Sequence, residues 1–129
     1  MVENLAYRLE SDKPFDTVVA SLEKEAVGNQ FRVLHVHDVK ATLEEKGFER
    51  EPLKIVEVCN AGFAYQALQK DLHAALFMPC RFVVHTEGDK TVVTLARPAA
   101  IAEMLPGSGL DQLAADVEST LKKVMEASV

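Results

Sequence analysis

Three of the four histidines and both cysteines sit at spacings that can support chemistry. In His35-Val36-His37 an extended backbone sends both imidazoles to one side of the chain, about 7 Å apart. Neutral imidazole is the commonest protein ligand for metals, and His85 on a neighbouring strand would complete a three-histidine face for a divalent metal or an axial ligand for haem. The same residues also suit a half-buried sheet face or a subunit interface without any ligand, so the spacing leaves both readings open. Cys59 precedes Asn60, a strong helix N-cap, and therefore lies near free backbone amides and the positive end of a helix dipole. Cys80 follows Met78-Pro79 and stands beside Arg81, a second setting where positive charge favours a thiolate. A free cysteine serves equally well as a small buried hydrophobe, and the pair lacks the C-x-x-C spacing of redox or zinc sites. Cys59, Asn60, Cys80 and Arg81 thus mark the alternative to a histidine site: a small thiol-dependent enzyme or redox protein.

The sequence contains none of the G-x-x-x-x-G-K, G-x-G-x-x-G, H-E-x-x-H or G-x-S-x-G patterns. Pro106-Gly107-Ser108-Gly109 follows no strand signal and carries no lysine, so it reads as a turn with an N-cap. His73 reads as a surface residue.

The chain that must position these groups has 129 residues, enough for one core, and residues 1–129 are expected to form a single domain. Fourteen basic against twenty acidic residues give a net charge of −6, which argues against a nucleic-acid partner. No apolar run approaches the roughly 20 residues that span a bilayer, so no membrane partner is expected. Met1-Val2-Glu3-Asn4 lacks the layout of a secretory signal, and two cysteines are too few for a disulfide framework. The expected compartment is the reducing cytoplasm.

Residues 4–9 alternate as a short strand. Ser11-Asp12 offers N-cap chemistry for a helix carrying Phe15, Val18, Val19, Leu22 and Ala26 on one stripe, which Gly28 ends in a left-handed conformation. Residues 31–38 read as a strand, with Asp38 capping a short helix over 39–46 that stops at Gly47. Residues 53–59 form the next strand, and Asn60 caps a helix to about Leu76 with Ala64, Leu68, Leu72 and Ala75 buried. Pro79 ends it. Residues 81–87 and 90–97 pair across Gly88-Asp89 in a II′ hairpin, which sets Thr86, Val84 and Phe82 opposite Thr91, Val93 and Leu95. Pro98–Pro106 holds at most one helical turn, and a helix from Leu110 through Val124 closes the chain. The pattern predicts an α+β fold in two layers, a mostly antiparallel sheet with helices packed on one face.

Face assignments follow from the strand period of two. With Phe82, Val84, Val93 and Leu95 toward the helices, the other face carries Arg81, Val83, His85, Val92 and Thr94. With Leu34 and Val36 also toward the helices, Phe31, Val33, His35 and His37 join that open face. Three histidines then share it, and Phe31, Val33, Val83 and Val92 would supply an apolar slot for haem. The same mixed patch equally suits a second copy of the chain, since uncovered apolar surface is usually buried by something.

Asp38-Val39-Lys40, Cys59-Asn60, Ala64-Tyr65-Gln66-Ala67-Leu68 and Met78-Pro79-Cys80-Arg81 together resemble the bacterial and archaeal domain-of-unknown-function family numbered 302, from about Phe15 to Pro98. Ala61 stands where that family usually has proline. The resemblance implies a compact α+β domain of the TATA-box-binding-protein-like kind, commonly a homodimer, without DNA binding and without a settled enzymatic activity. It matches Cys59, Asn60, Pro79 and Cys80 to recurrent family positions and carries over no histidine. The resulting expectation is a homodimeric, non-enzymatic cytoplasmic module that holds a small molecule, a metal or haem on its open sheet face.

Overall fold

Five extended segments pair into one antiparallel sheet in the computed structural model of the chain, which describes residues 2–129. In chain order the elements are α1 (Val2–Leu5), β1 (Ala6–Ser11), α2 (Phe15–Gly28), β2 (Arg32–Asp38), α3 (Val39–Glu44), β3 (Leu53–Cys59), α4 (Ala61–Lys70), a 3-10 segment (Leu72–Phe77), β4 (Cys80–Glu87), β5 (Lys90–Ala96), α5 (Pro98–Ala102) and α6 (Asp111–Ser128). The strand order across the sheet is β1-β5-β4-β3-β2. The β4–β5 hairpin has the register that its two-residue loop dictates, with Glu87 opposite Lys90 and Phe82 opposite Leu95. Gly88 sits at φ +60°, the conformation that glycine adopts without steric cost.

One face of the sheet is buried beneath α2 and α6. Val56, Val58, Phe82, Val84, Val93 and Leu95 meet Val18, Leu22 and Ala26 of α2 and Leu121, Val124 and Met125 of α6 in one core. This is the expected two-layer α+β arrangement. The short α3 lies against β3, where Val39, Thr42 and Leu43 border a groove with His37 and Ile55. Among the described residues no helix is long and apolar enough to cross a membrane.

Strand β2 corrects the expected face assignment. Val33 lies opposite Val58 and His35 opposite the adjacent Glu57, so Leu34 is an inserted bulge residue. A bulge resets the alternation by one, and Phe31 and Val33 turn to the core while Leu34 is left 47% exposed. Val36 stays on the core side and His35 and His37 on the open side, opposite Glu57 and Ile55.

The helix after Asn60 is also shorter than its apolar spacing suggests. It ends at Lys70, because Asp71 adopts an extended backbone and its carboxylate accepts the His73 amide, starting the 3-10 segment instead. Phe63, Ala67 and Ala74 therefore face inward, whereas Leu72 and Leu76 are about three-quarters exposed. Smaller corrections lie at the first elements. β1 begins at Ala6 after a helical turn, and Pro14 is the N-cap of α2 without a side-chain cap. Ser11 Oγ accepts the Lys13 amide instead. Gly28 lies inside α2, and the left-handed residue beyond it is Gln30, at φ 67°.

One buried carboxylate ties the chain ends to the sheet. Glu118 of α6, 6% exposed, accepts hydrogen bonds from Arg97 Nε (3.0 Å) and the Ala99 amide (3.1 Å), and pairs with Lys122 Nζ at 3.0 Å. Arg97 also donates to the Asn4 carbonyl at 2.8 Å. Burial alone would raise the Glu118 carboxyl, but the Lys122, Arg97 and Ala99 contacts outweigh it and hold the group below its ordinary value. A depressed carboxyl contributes stability that is present above the unfolded value of about 4.3 and lost as pH falls through the lower native value. Glu118→Gln is expected to cost about 1–3 kcal/mol at pH 7 and to flatten the decline in stability from pH 5 to pH 3, read from urea unfolding midpoints.

Candidate functional site

At the end of the sheet where β3 stops and β4 begins, α4, the 3-10 segment, α5 and α6 converge without closing. The gap between them is a cavity of about 320 Å³. Its walls are apolar: Phe31 and Val58 from the core side, Phe63 and Ala67 from α4, Met78 before β4, and Ile101, Leu105 and Leu113 from the α5–α6 region. A second small cluster, Ala74, Ala102, Leu110 and Leu113, forms one side of it. Cys59, Asn60, Pro79, Cys80 and Arg81 all border the same space, and the Met78–Pro79 peptide is cis. The two short motifs singled out in the sequence are thus brought to a single rim, although about twenty residues separate them along the chain.

Asn60 builds this corner. Its Oδ1 accepts the Phe63 amide at 2.9 Å, capping α4, and its Nδ2 donates to the Gln30 carbonyl at 2.9 Å, tying α4 to the turn after α2. The Phe31 and Phe63 rings next to these bonds lie 6.0 Å apart, within the range of favourable aromatic pairs. Asn60 therefore positions the cavity wall with both halves of its amide.

The thiols are set for burial, not ionisation. Both cysteines are free. Burial pushes the Cys80 thiol up to about 11; the nearby Cys59 adds to the rise, and the Arg81 charge opposes it. Burial also raises Cys59. At Cys80 desolvation of the charged sulfur thus outweighs the thiolate-favouring charge of Arg81.

On the open face the structure brings two of the three expected histidines together. The His35 and His37 rings meet edge to face with centroids 4.4 Å apart, and His37 Nε2 lies 3.3 Å from Glu57 Oε2. His85 stands on β4, with β3 between it and β2, and its Nε2 lies 2.9 Å from Glu87 Oε2. Among the described residues no three His, Cys, Asp or Glu side chains are grouped as a metal site requires. The expected haem slot loses two of its four walls, because the bulge at Leu34 sends Phe31 and Val33 into the core. Val92 remains on the open side but is fully buried by its neighbours.

Sequence reasoning missed the cavity as such. Its signal was the coincidence of Cys59-Asn60 and Met78-Pro79-Cys80-Arg81 with alanines at 64, 67, 74, 102 and 114, small residues whose inward placement leaves room between helices.

A family model described as "Domain of unknown function DUF302" matches residues 7–128 of the chain. The crystal structure of an uncharacterized conserved DUF302 protein from Bacillus stearothermophilus is similar, with a TM-score of 0.92 and 28% identity over 97% of this chain and 98% of that one. No curated protein matches the chain.

With the Cys80 thiol near 11, about one molecule in a thousand carries its thiolate at pH 8. Iodoacetamide at pH 8 is expected to modify Cys80 at least about a hundredfold more slowly in the native chain than in urea, followed by peptide mass spectrometry. Equal rates would show that burial does not suppress the thiolate, and a faster native rate would revive thiol chemistry at this rim.

Proposed function

The chain belongs to the DUF302 family, and from that premise we propose that it is a non-enzymatic binding module whose small-molecule ligand lodges in the apolar cavity at the β3–β4 end of the sheet. The observation that carries this reading is the cavity itself. At about 320 Å³ it falls in the size class of small-ligand sites, roughly 300–1,000 Å³, with the mainly apolar lining and few polar groups typical of them. The proposed ligand position moves from the open sheet face to the cavity because the face offers Phe31 and Val33 to the core instead. A binding role is favoured over thiol catalysis because burial raises both Cys59 and Cys80 and so disfavours the thiolate that a nucleophile needs. The two free thiols also favour a reducing, cytoplasmic setting.

The second part of the proposal is a homodimer through the open face. Half-buried Ile55 and Val83 sit there among Arg8, Arg81, Glu57 and Glu87. A face that carries both signs can meet its own copy across a two-fold axis with arginine against glutamate, despite the net charge of −6.

N-Phenyl-1-naphthylamine, a neutral apolar fluorophore, is expected to bind with micromolar affinity, and Ala67→Phe to weaken it at least about tenfold without lowering the melting temperature. Absence of binding, or binding unaltered in Ala67→Phe, would remove the cavity reading. Native mass spectrometry is expected to show a dimer that Val83→Lys converts to monomer; a wild-type monomer at 100 μM, on the order of ordinary assay concentrations, would remove the dimer.

A further inference from the structure

We propose that the ligand of the cavity is a neutral aromatic molecule of bicyclic size, held among the Phe31, Phe63, Met78 and Cys80 side chains. This rests on the reading that the cavity binds a ligand at all, and it adds the chemical class. Among the described residues that line the cavity, Arg81 alone has a charged side chain. Its neighbours Cys80 and Phe82 pack against the core, so the strand period of two sends Arg81 to the open face. There it pairs with Glu57 at 4.0 Å and borders the groove that holds His37. Asn60 at the rim is already committed, with Oδ1 given to Phe63 and Nδ2 to Gln30. Among the described residues no buried side-chain nitrogen or oxygen lacks a hydrogen-bond partner, so none is left over for a guest. An ionised ligand would shed its water and find no counter-charge, which burial penalises heavily. The same penalty acts on the wall itself, where burial pushes the Cys80 thiol away from its charged form.

The walls that could discriminate among neutral guests are aromatic and sulfur-bearing. Phe63 packs against both the main core and the small cluster of Ala74, Ala102, Leu110 and Leu113, so its side chain stands between them. The Phe31 ring lies 6.0 Å away and tilted by 36°, and a third ring could join this pair offset or edge-on. Met78 packs against the small cluster and Cys80 against the main core, which sets two polarisable sulfurs on the same space. Sulfur near a ring edge adds an attraction that an aliphatic chain does not receive. The alanines and leucines elsewhere in the lining hold any apolar body equally well.

Size and rigidity narrow the class further. A volume of 320 Å³ holds about ten carbon-sized groups if each takes about the 30 Å³ share of a water molecule. Naphthalene is of that size. A fused ring system has no internal rotations to lose on binding, whereas a chain of equal carbon count must freeze several. The net charge of −6 also repels anions at long range, which again favours a neutral guest.

Calorimetric titration at pH 7 with 1-naphthol, 1-naphthoate and decan-1-ol tests the assignment. Wild type is expected to bind 1-naphthol at least about tenfold more tightly than 1-naphthoate, which alone of the three is ionised at that pH. The affinity for 1-naphthol relative to decan-1-ol is expected to fall at least about threefold in Phe63→Leu and in Met78→Leu. The two alcohols match in carbon count and hydroxyl, and the ratio is taken within each variant, so a general loss of affinity cancels. Met78→Leu keeps an apolar side chain of similar size and carries the comparison if Phe63→Leu does not fold. Binding of 1-naphthoate as tight as that of 1-naphthol, a ratio unchanged in either folded variant, or binding of none of the three overturns the aromatic assignment while the bound N-phenyl-1-naphthylamine keeps the cavity reading. Failure of that fluorophore itself to bind overturns the cavity reading first.

Discussion

The double hydrogen bond of Asn60 is the contact on which the geometry of this end of the molecule depends. One side-chain amide satisfies the Phe63 N–H at the start of α4 and the Gln30 carbonyl at the turn into β2. The part-buried Phe63 N–H would cost about 1–3 kcal/mol if left unpaired. The two bonds set the distance between the α2–β2 corner and α4, and so the approach of Phe31 to Phe63. Gly62 belongs to the same arrangement, because a Cβ there would come within 3.3 Å of Asn60 Oδ1 and crowd the cap. Glu118 plays the corresponding part on the other side of the cavity, fixing α6 to the start of α5 through the Ala99 amide. Between these two polar fasteners the apolar walls are held apart without having to touch.

The two faces of the sheet are stabilised by different physics. The face beneath α2 and α6 is dry and apolar, and its contribution comes from area removed from water. The open face carries exposed pairs, Arg8 with Glu10 and Glu87, and Glu87 with His85, which add little stability individually. Their effect is steric as much as electrostatic. Val92 lies in register between His85 and Glu10 and is fully buried although no helix crosses it, because long polar side chains lay their stems over an apolar neighbour.

What was legible in the sequence was local chemistry. Gly88-Asp89 fixed a hairpin register residue by residue, Asn60 announced a helix start, and the apolar spacing of residues 110–124 marked α6. The short motifs around Cys59 and Cys80, far apart in sequence, meet at one corner of the fold. The histidine face was legible in part: His35, His37 and His85 do share the open side, yet the reasoning that put them there assigned Leu34, Phe31 and Val33 wrongly. A bulge conserves the alternation on either side of itself while shifting it across one residue, and nothing in Val33-Leu34-His35 reveals which of two apolar neighbours is the extra one. Asp71 was opaque for a related reason. Its carboxylate can cap or be solvated, and tertiary packing of Ala74 decided for the cap. The cavity needed every one of these placements at once, since its walls come from three strands, three helices and the 3-10 segment.

The cavity is lined by alanines at positions where helices of this size commonly present leucine or methionine. Ala64, Ala67, Ala74, Ala102 and Ala114 come from four segments and all reach the same space. Well-packed interiors avoid such gaps because atoms without neighbours forgo dispersion contacts, and the loss grows with the volume left open. Larger residues at two or three of these positions would close the chamber and add stability, a route that is open to most proteins. The chain instead frames the gap with Asn60, which both accepts and donates a hydrogen bond, on one side and the thrice-partnered Glu118 on the other. An apolar space framed by hydrogen-bonded polar contacts has the form of a site preorganised for a guest, because the walls need not be reordered when the guest arrives.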